Sequence, residues 1–175
     1  FYEGIGLPRE SLVEYWQEKT ELAHYAKACV DILYKFPFSK RDEKGELMGE
    51  ELEGIAARGN FDLSQHQQHS GKSMEYFDQE AATRYVPHVI EPSAGADRLV
   101  LALLCNAYHE EEKADVNGKV ELRTVLRFHP RVAPIKVGVF PLLKNKPELV
   151  AKALEVRDLL RPLMNVFYDE AGAIG

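Results

Sequence analysis

Val89-Ile-Glu91-Pro92-Ser93-Ala94-Gly95-Ala96-Asp97-Arg98 runs straight into the apolar stretch Leu99-Val-Leu-Ala-Leu-Leu104. A strand-like segment ends on a carboxylate, a proline and three small residues turn the chain, and an Asp-Arg pair opens a helix. Ser93, Ala94, Gly95 and Ala96 carry little side chain. A ligand can therefore approach the backbone closely there, and a turn needing unusual dihedrals asks for the same residues. The start of a helix adds unpaired N–H groups and a partial positive charge, which suit an anion such as a phosphate. Arg98, one turn in, offers a planar guanidinium able to hold phosphate oxygens through two parallel hydrogen bonds. The plainer alternative is a strand–turn–helix joint whose Asp97-Arg98 pair caps the helix.

Glu91-Pro-Ser-Ala-Gly-Ala-Asp-Arg98 followed by an apolar helix resembles motif 3 of class II aminoacyl-tRNA synthetases, in the form seen in the glycyl-tRNA synthetase family. Three further stretches resemble that family: Ala23 to Tyr34, Glu51-Leu-Glu-Gly-Ile-Ala-Ala-Arg58-Gly-Asn-Phe-Asp62, and Ala133-Pro-Ile-Lys-Val-Gly-Val-Phe-Pro-Leu142. They occur in family order and span nearly the whole chain. The implied fold is α+β: part of the class II antiparallel sheet flanked by helices over residues 1–130, then the beginning of an α/β anticodon-binding domain over 131–175. Motif 1, and motif 2 with its arginine for the α-phosphate, are not found. The resemblance therefore implies the motif 3 half of a catalytic domain, inactive in isolation.

The same resemblance implies the chemistry. Glycine and ATP give glycyl-adenylate and pyrophosphate, and the glycyl group passes to tRNA(Gly). Arg98 and Glu91 are the expected catalytic pair. Arg98 would grip the terminal phosphate of a bent ATP, and Glu91 would serve either the Mg2+-bound phosphates or the glycine ammonium. Glu51, Leu52, Gly95, Ala96, Asp97 and Arg98 are expected around the nucleotide. Glu51, Arg58, Glu91, Pro92, Ser93, Ala94 and Gly95 are expected around glycine, with Glu51 receiving the ammonium and Arg58 supporting the carboxylate side. A cytoplasmic homodimer is the implied form of the full-length protein. A reading of another class, a non-catalytic synthetase-like paralogue acting as a nucleic-acid-binding or polymerase-accessory module, has to explain why these site residues are kept together.

Composition is compatible with this and specific to none of it. The 175 residues are 45% hydrophobic and 29% charged, ordinary for a globular protein. A net charge of −6 leaves no overall basic footprint for nucleic acid, so an RNA contact needs a local patch or residues elsewhere. Cys29 and Cys105 lie far apart, with neither disulfide nor zinc spacing. No apolar run is long enough to span a bilayer.

Local patterns give the remaining elements. Pro8 to Lys19 places Leu12, Val13, Tyr15 and Trp16 at helical spacing, so a helix is expected. Thr20 to His24 is a polar loop, in which His24 is more ordinary as a surface residue than as a ligand. Tyr25 to Phe38 reads as a long strand closed by Pro37, and Lys40 to Glu50 as a solvated turn. Glu51 to Arg58 is a further strand, on which Glu51 and Glu53 are expected on one face because side chains alternate. Asp62 to His69 is a helix ending at Gly71, and its His66–His69 pair lacks the further ligands a metal requires. A short Tyr76-Phe77 strand and a polar turn at 78–83 precede a strand from Tyr85 to Ile90, with Pro87 at an edge or bulge. A helix over about 97–109 is apolar round most of its circumference, which predicts full burial. Glu110 to Lys113 reads as its solvated end, Asn117-Gly118 as a turn, and Val120 to Phe128 as a strand. After the prolines at 130 and 134, a strand at Lys136–Phe140, a helix from Pro147 to Pro162 and a strand at Asn165–Asp169 suggest a parallel crossover. Gly172 and Gly175 are expected where the family continues into the rest of that domain.

Overall fold

The computed structural model describes residues 1–114 and 118–169. Asn117 of the expected turn, and Gly172 and Gly175, lie outside the described residues. The elements in chain order are β1 (Leu12–Trp16), β2 (Ala28–Tyr34), β3 (Glu50–Gly59), α1 (Phe61–Ser70), β4 (Tyr76–Asp78), β5 (Thr83–Tyr85), β6 (Val89–Ala94), α2 (Ala96–Ala107), β7 (Tyr108–Ala114), β8 (Val120–Leu126), β9 (Val137–Val139), α3 (Pro147–Leu160) and β10 (Val166–Tyr168). The fold is mixed α+β, with antiparallel sheets and three helices among the described residues. It divides into two compact units, Phe1–Arg127 and Phe128–Gly175.

The first unit is organised by an antiparallel four-stranded sheet in the order β1-β2-β3-β6. One face of it is apolar: Leu12, Tyr34 and Leu52 pack with Tyr2, Leu7, Phe36 and Ala102, and Ile5, Ile32, Leu99, Leu103 and Cys105 close around them. Helix α2 thus covers this face, and Asn106 Nδ2 donates to the Gly6 carbonyl at 2.9 Å to tie the N-terminal turns against the helix. β4–β5 and β7–β8 are separate antiparallel hairpins.

Several expectations are corrected here. Residues 12–16 form an edge strand instead of a helix, because Leu12 to Trp16 pair in register with Tyr34 to Val30. Val13, Tyr15 and Trp16 suit a pleated surface as well as a helix, and the ladder decides. The strand expected from Tyr25 starts only at Ala28 and ends at Tyr34, before Pro37. The strand expected over Tyr85–Ile90 is two: β5 stops at Tyr85, and β6 runs from Val89 through Pro92 to Ala94. Pro92 is tolerated because β6 is the outer strand of the sheet, where one side of the backbone needs no partner. The motif therefore turns only at Gly95. No residue from 93 to 96 has positive φ, so their small size serves space and not an unusual dihedral.

Helix α2 is buried on one side only. Val100 is 55% exposed and Leu101 and Leu104 are also open, since a single sheet can cover a single side. The acidic run after it is no helix end: Tyr108 to Ala114 form a strand, and Glu111 accepts from both Arg123 and Arg127 across and beyond the hairpin. Their guanidinium groups, Arg127 first, hold the Glu111 carboxyl below its ordinary range. α1 ends at Gly71, whose φ of 68° is the left-handed cap a side chain would resist.

The second unit is a β9–α3–β10 crossover with β9 and β10 parallel. Pro147 occupies the first turn of α3, where its missing N–H costs nothing. Val139 and Ala153 are buried between strand and helix, and Phe140 meets Phe167 edge-on at 6.2 Å.

Candidate active site

The site is built on β3, which is irregular at both ends. Ile32 of β2 is opposite Glu53 but Leu33 is opposite Glu51, so Leu52 is an inserted, unpaired residue. A bulge of this kind turns two successive side chains to one side. Leu52, 2% exposed, enters the apolar core, and Glu53 stays on the same side, where its Oε2 accepts from the Tyr2 hydroxyl at 2.6 Å. Burial, with Glu53 beside it, pushes the Tyr2 hydroxyl above its ordinary pKa. Glu51 is thereby placed on the opposite face from Glu53, which corrects the expected shared face. The two acids no longer repel.

The second face of the sheet is polar, and the register groups its residues in rows. Asp31, Gly54 and Ser93 are consecutive cross-strand neighbours, and so are Cys29, Ala56 and Glu91. Arg58, at the second irregularity of β3, lies over the Tyr25 ring at 3.8 Å. Its Nε and Nη2 donate to the two oxygens of Asp62 at 2.6 and 2.9 Å, and its Nη1 donates to Glu91 Oε2. This bidentate hold, joined by Glu91, raises the Arg58 pKa further and keeps Asp62 below the usual carboxylate range. Arg58 is thus committed to protein acids, and its geometry fixes the Glu91 side chain. His24 rests edge-on against Tyr25 and Phe61 at 5.2 and 5.5 Å, beneath the same cluster.

Beside this face the β6–α2 joint forms an open cleft lined by Glu51, Leu52, Ser93, Ala94, Gly95, Ala96, Asp97 and Arg98. Gly95 N–H donates to the Leu52 carbonyl at 3.2 Å, which seats the start of α2 against the bulge. The first i→i−4 bond of the helix is Leu99 N–H to Gly95 O, so the N–H groups of Ala96, Asp97 and Arg98 precede the ladder and point out of the helix end. Arg98 is exposed, with Nη1 donating to the Glu51 carbonyl at 2.5 Å. Gly95 is the cap residue and no side chain caps the helix, so the Asp97-Arg98 pair is not acting as one.

Six residues expected around the nucleotide, Glu51, Leu52, Gly95, Ala96, Asp97 and Arg98, therefore line one cleft together with Ser93 and Ala94. Glu91 and Arg58 do not line it; Glu91 lies two residues from Ser93 on the same polar face, and Arg58 meets it from β3. Pro92 alternates to the other face of β6, away from Ser93 and Glu91. Among the described residues no group of three His, Cys, Asp or Glu is placed to hold a metal ion, the His66–His69 pair included. No helix is long and apolar enough to cross a membrane among them.

Sequence reasoning missed Asp31, Gln17, Tyr25 and Asp62 as members of this surface. Asp31 is 9% exposed, and accepts from Gln17 Nε2 at 2.8 Å and from the Cys29 thiol at 3.5 Å. Burial, then Asp31, pushes the Cys29 thiol up. A single acid inside Cys29-Val-Asp-Ile-Leu was the available signal, because an apolar strand rarely carries a charge without a partner.

No family model matches the chain. Among curated proteins it is 46% identical over 175 residues to the glycine–tRNA ligases of Streptomyces coelicolor and Thermobifida fusca, and 45% identical over 176 residues to that of Treponema denticola. Each match covers 100% of this chain and 36–37% of the relative. The chain therefore spans little more than a third of the length of these relatives. From its first residue to its last, this chain is homologous to a segment of glycine–tRNA ligases.

Proposed function

We propose that the protein containing these residues is a class II glycine–tRNA ligase, joining glycine to ATP and passing the glycyl group to tRNA(Gly). Residues 1–130 would then be the motif 3 portion of its catalytic domain and 131–175 the start of its anticodon-binding domain. The observation that carries this reading is the β6–α2 cleft, where one cation, open helix N–H groups and small residues meet at the end of a sheet. Such a place holds a polyphosphate.

In the first reaction the glycine carboxylate attacks the α-phosphate in line and pyrophosphate leaves, so the protein supplies position and charge neutralisation. Arg98 would meet the terminal phosphate, and residues 95–97 would shape the floor under the nucleotide. Mg2+ enters as the counter-ion of the nucleotide phosphates. Glu91 is already ion-paired through Oε2, so its remaining oxygen is assigned to the glycine ammonium and no step is routed through a metal on it. Arg58 then acts through Glu91 and not on substrate. Ser93 and Glu51 complete the glycine side. The protein would work as a homodimer in the cytoplasm, where its tRNA is used.

The test is glycine-dependent ATP–pyrophosphate exchange by the full-length protein. Exchange that requires glycine and ignores alanine supports the reading; no exchange with any amino acid overturns it.

A further inference from the structure

We propose that Asp31 and Gly54 belong to the amino-acid pocket: Asp31 and Glu51 join Glu91, one row over on the same face, in receiving the three N–H groups of the substrate ammonium, and the missing side chain of Gly54 is what leaves it room. The inference deepens the glycine-activation reading and rests on it. Gly54 sits between Asp31 and Ser93 in one cross-strand row, with the bulge at Leu52 turning Glu51 toward the same spot. A Cβ built on Gly54 would lie 3.3 Å from Asp31 Oδ1 and 3.6 Å from Glu51 Oε1. One point just above this glycine is therefore near an oxygen of each acid. A small cation placed slightly outward reaches both at hydrogen-bond distance, with the Ser93 hydroxyl alongside in the row.

The electrostatics favour such a guest. Asp31 is buried, and the groups that donate to it are a neutral amide and a thiol, Gln17 and Cys29. Neither Asp31 nor Glu51 forms a salt bridge among the described residues. A buried carboxylate with neutral partners is expensive unless a cation joins it. The pocket is also selective by construction. A methyl group on Gly54 would crowd the Asp31 oxygen at 3.3 Å and occupy the point an ammonium needs, so the bare backbone at Gly54 forms part of the pocket wall.

The experiment uses the full-length protein and measures the KM for glycine and for ATP in pyrophosphate exchange. Gly54→Ala is expected to raise the glycine KM about 100-fold, the scale of one methyl group in a tight pocket. Asp31→Asn is expected to raise it about 30-fold, as for one member of a buried charge pair. The ATP KM should stay within about twofold in both, since neither residue lines the nucleotide cleft. Asp31→Glu should recover part of the loss, and Glu111→Gln, in the β7–β8 hairpin, should change nothing. A glycine KM unchanged in Asp31→Asn and Gly54→Ala overturns the assignment. So do equal losses for glycine and ATP, which mark a structural role, and a lowered melting temperature with normal glycine KM, which marks a cation from elsewhere in the protein on Asp31. Should Asp31→Asn not fold, the Asp31→Glu and Gly54→Ala values decide. Wild-type protein without exchange would instead sink the activity reading itself, a result distinct from all of these.

Discussion

The two faces of the four-stranded sheet use the same strands to opposite ends. On one, Leu12, Tyr34 and Leu52 pack under α2. On the other, Asp31, Glu51, Arg58, Glu91 and Ser93 stand in rows with few apolar neighbours between them. The apolar face holds the shape and the polar face presents charge, and a single unpaired residue, Leu52, decides how β3 divides between them. By adding one residue to the strand, the bulge sends a leucine inward and an acid outward. The lesson is that the site depends on the core at that point: Leu52 is buried by the same distortion that exposes Glu51 and anchors Gly95.

That dependence can be broken from either side. The largest effect expected is on the polar side: Arg98→Ala in the full-length protein should slow adenylate formation about 1,000-fold, as for loss of a cation that holds the departing pyrophosphate. Single-turnover exchange would show it, with the melting temperature unchanged because Arg98 is exposed. Unchanged exchange in this variant would remove the cleft from the nucleotide site.

On the core side, Leu52→Ala should destabilise the protein by about 2–5 kcal/mol in denaturant unfolding. If the bulge links the faces, the same variant should also weaken glycine use, because Glu51 and the Gly95 contact rest on it. Stability lost with full catalytic parameters would show that the faces are independent.

Asp62→Asn gives a smaller effect that sharpens the polar face itself. It removes the bidentate hold on Arg58, loosens Glu91, and should raise the glycine KM about tenfold with little change in the ATP KM. It also carries a pH signature. Arg58 lowers the Asp62 pKa in the folded state, so the folded protein binds fewer protons there than the unfolded chain. The stabilisation is present above the unfolded carboxylate pKa, near ~4, and is lost as pH falls through the lower folded value. Urea midpoints followed from pH 6 downward should therefore fall less steeply in Asp62→Asn than in wild type. The smallest effect is expected at Glu111→Gln in the β7–β8 hairpin. Its ion pairs with Arg123 and Arg127 belong to a hairpin separate from the four-stranded sheet, and both arginines are exposed, so exchange kinetics should not change and the urea midpoint should move only slightly.

Much of this molecule was legible where local chemistry suffices. Asp62 to Gly71, Pro147 to Pro162 and the strand beginning at Glu51 were readable from caps, prolines and β-rich composition, and so was the α2 start, expected at about residue 97 and found at Ala96. The failures share a cause. Leu12 to Trp16 and Glu110 to Lys113 are ambiguous by themselves; pairing with residues 18 or so positions away, or with Val120 to Leu126, turned both into strands. Asp31 looked like one polar residue in an apolar run until the register set it beside Gly54.

By itself the sequence determined which chemistry is present: acids at 51 and 91, an arginine opening an apolar helix, small residues between, in the order of a known family. Only the tertiary structure decided which of these meet. A strand residue's face depends on its cross-strand register, and a one-residue bulge reverses it, so Glu51 and Glu53 part company and Glu91 goes to Arg58. Composition and spacing along the chain contain no record of that choice, because it is made by residues that are distant in sequence and adjacent in the sheet.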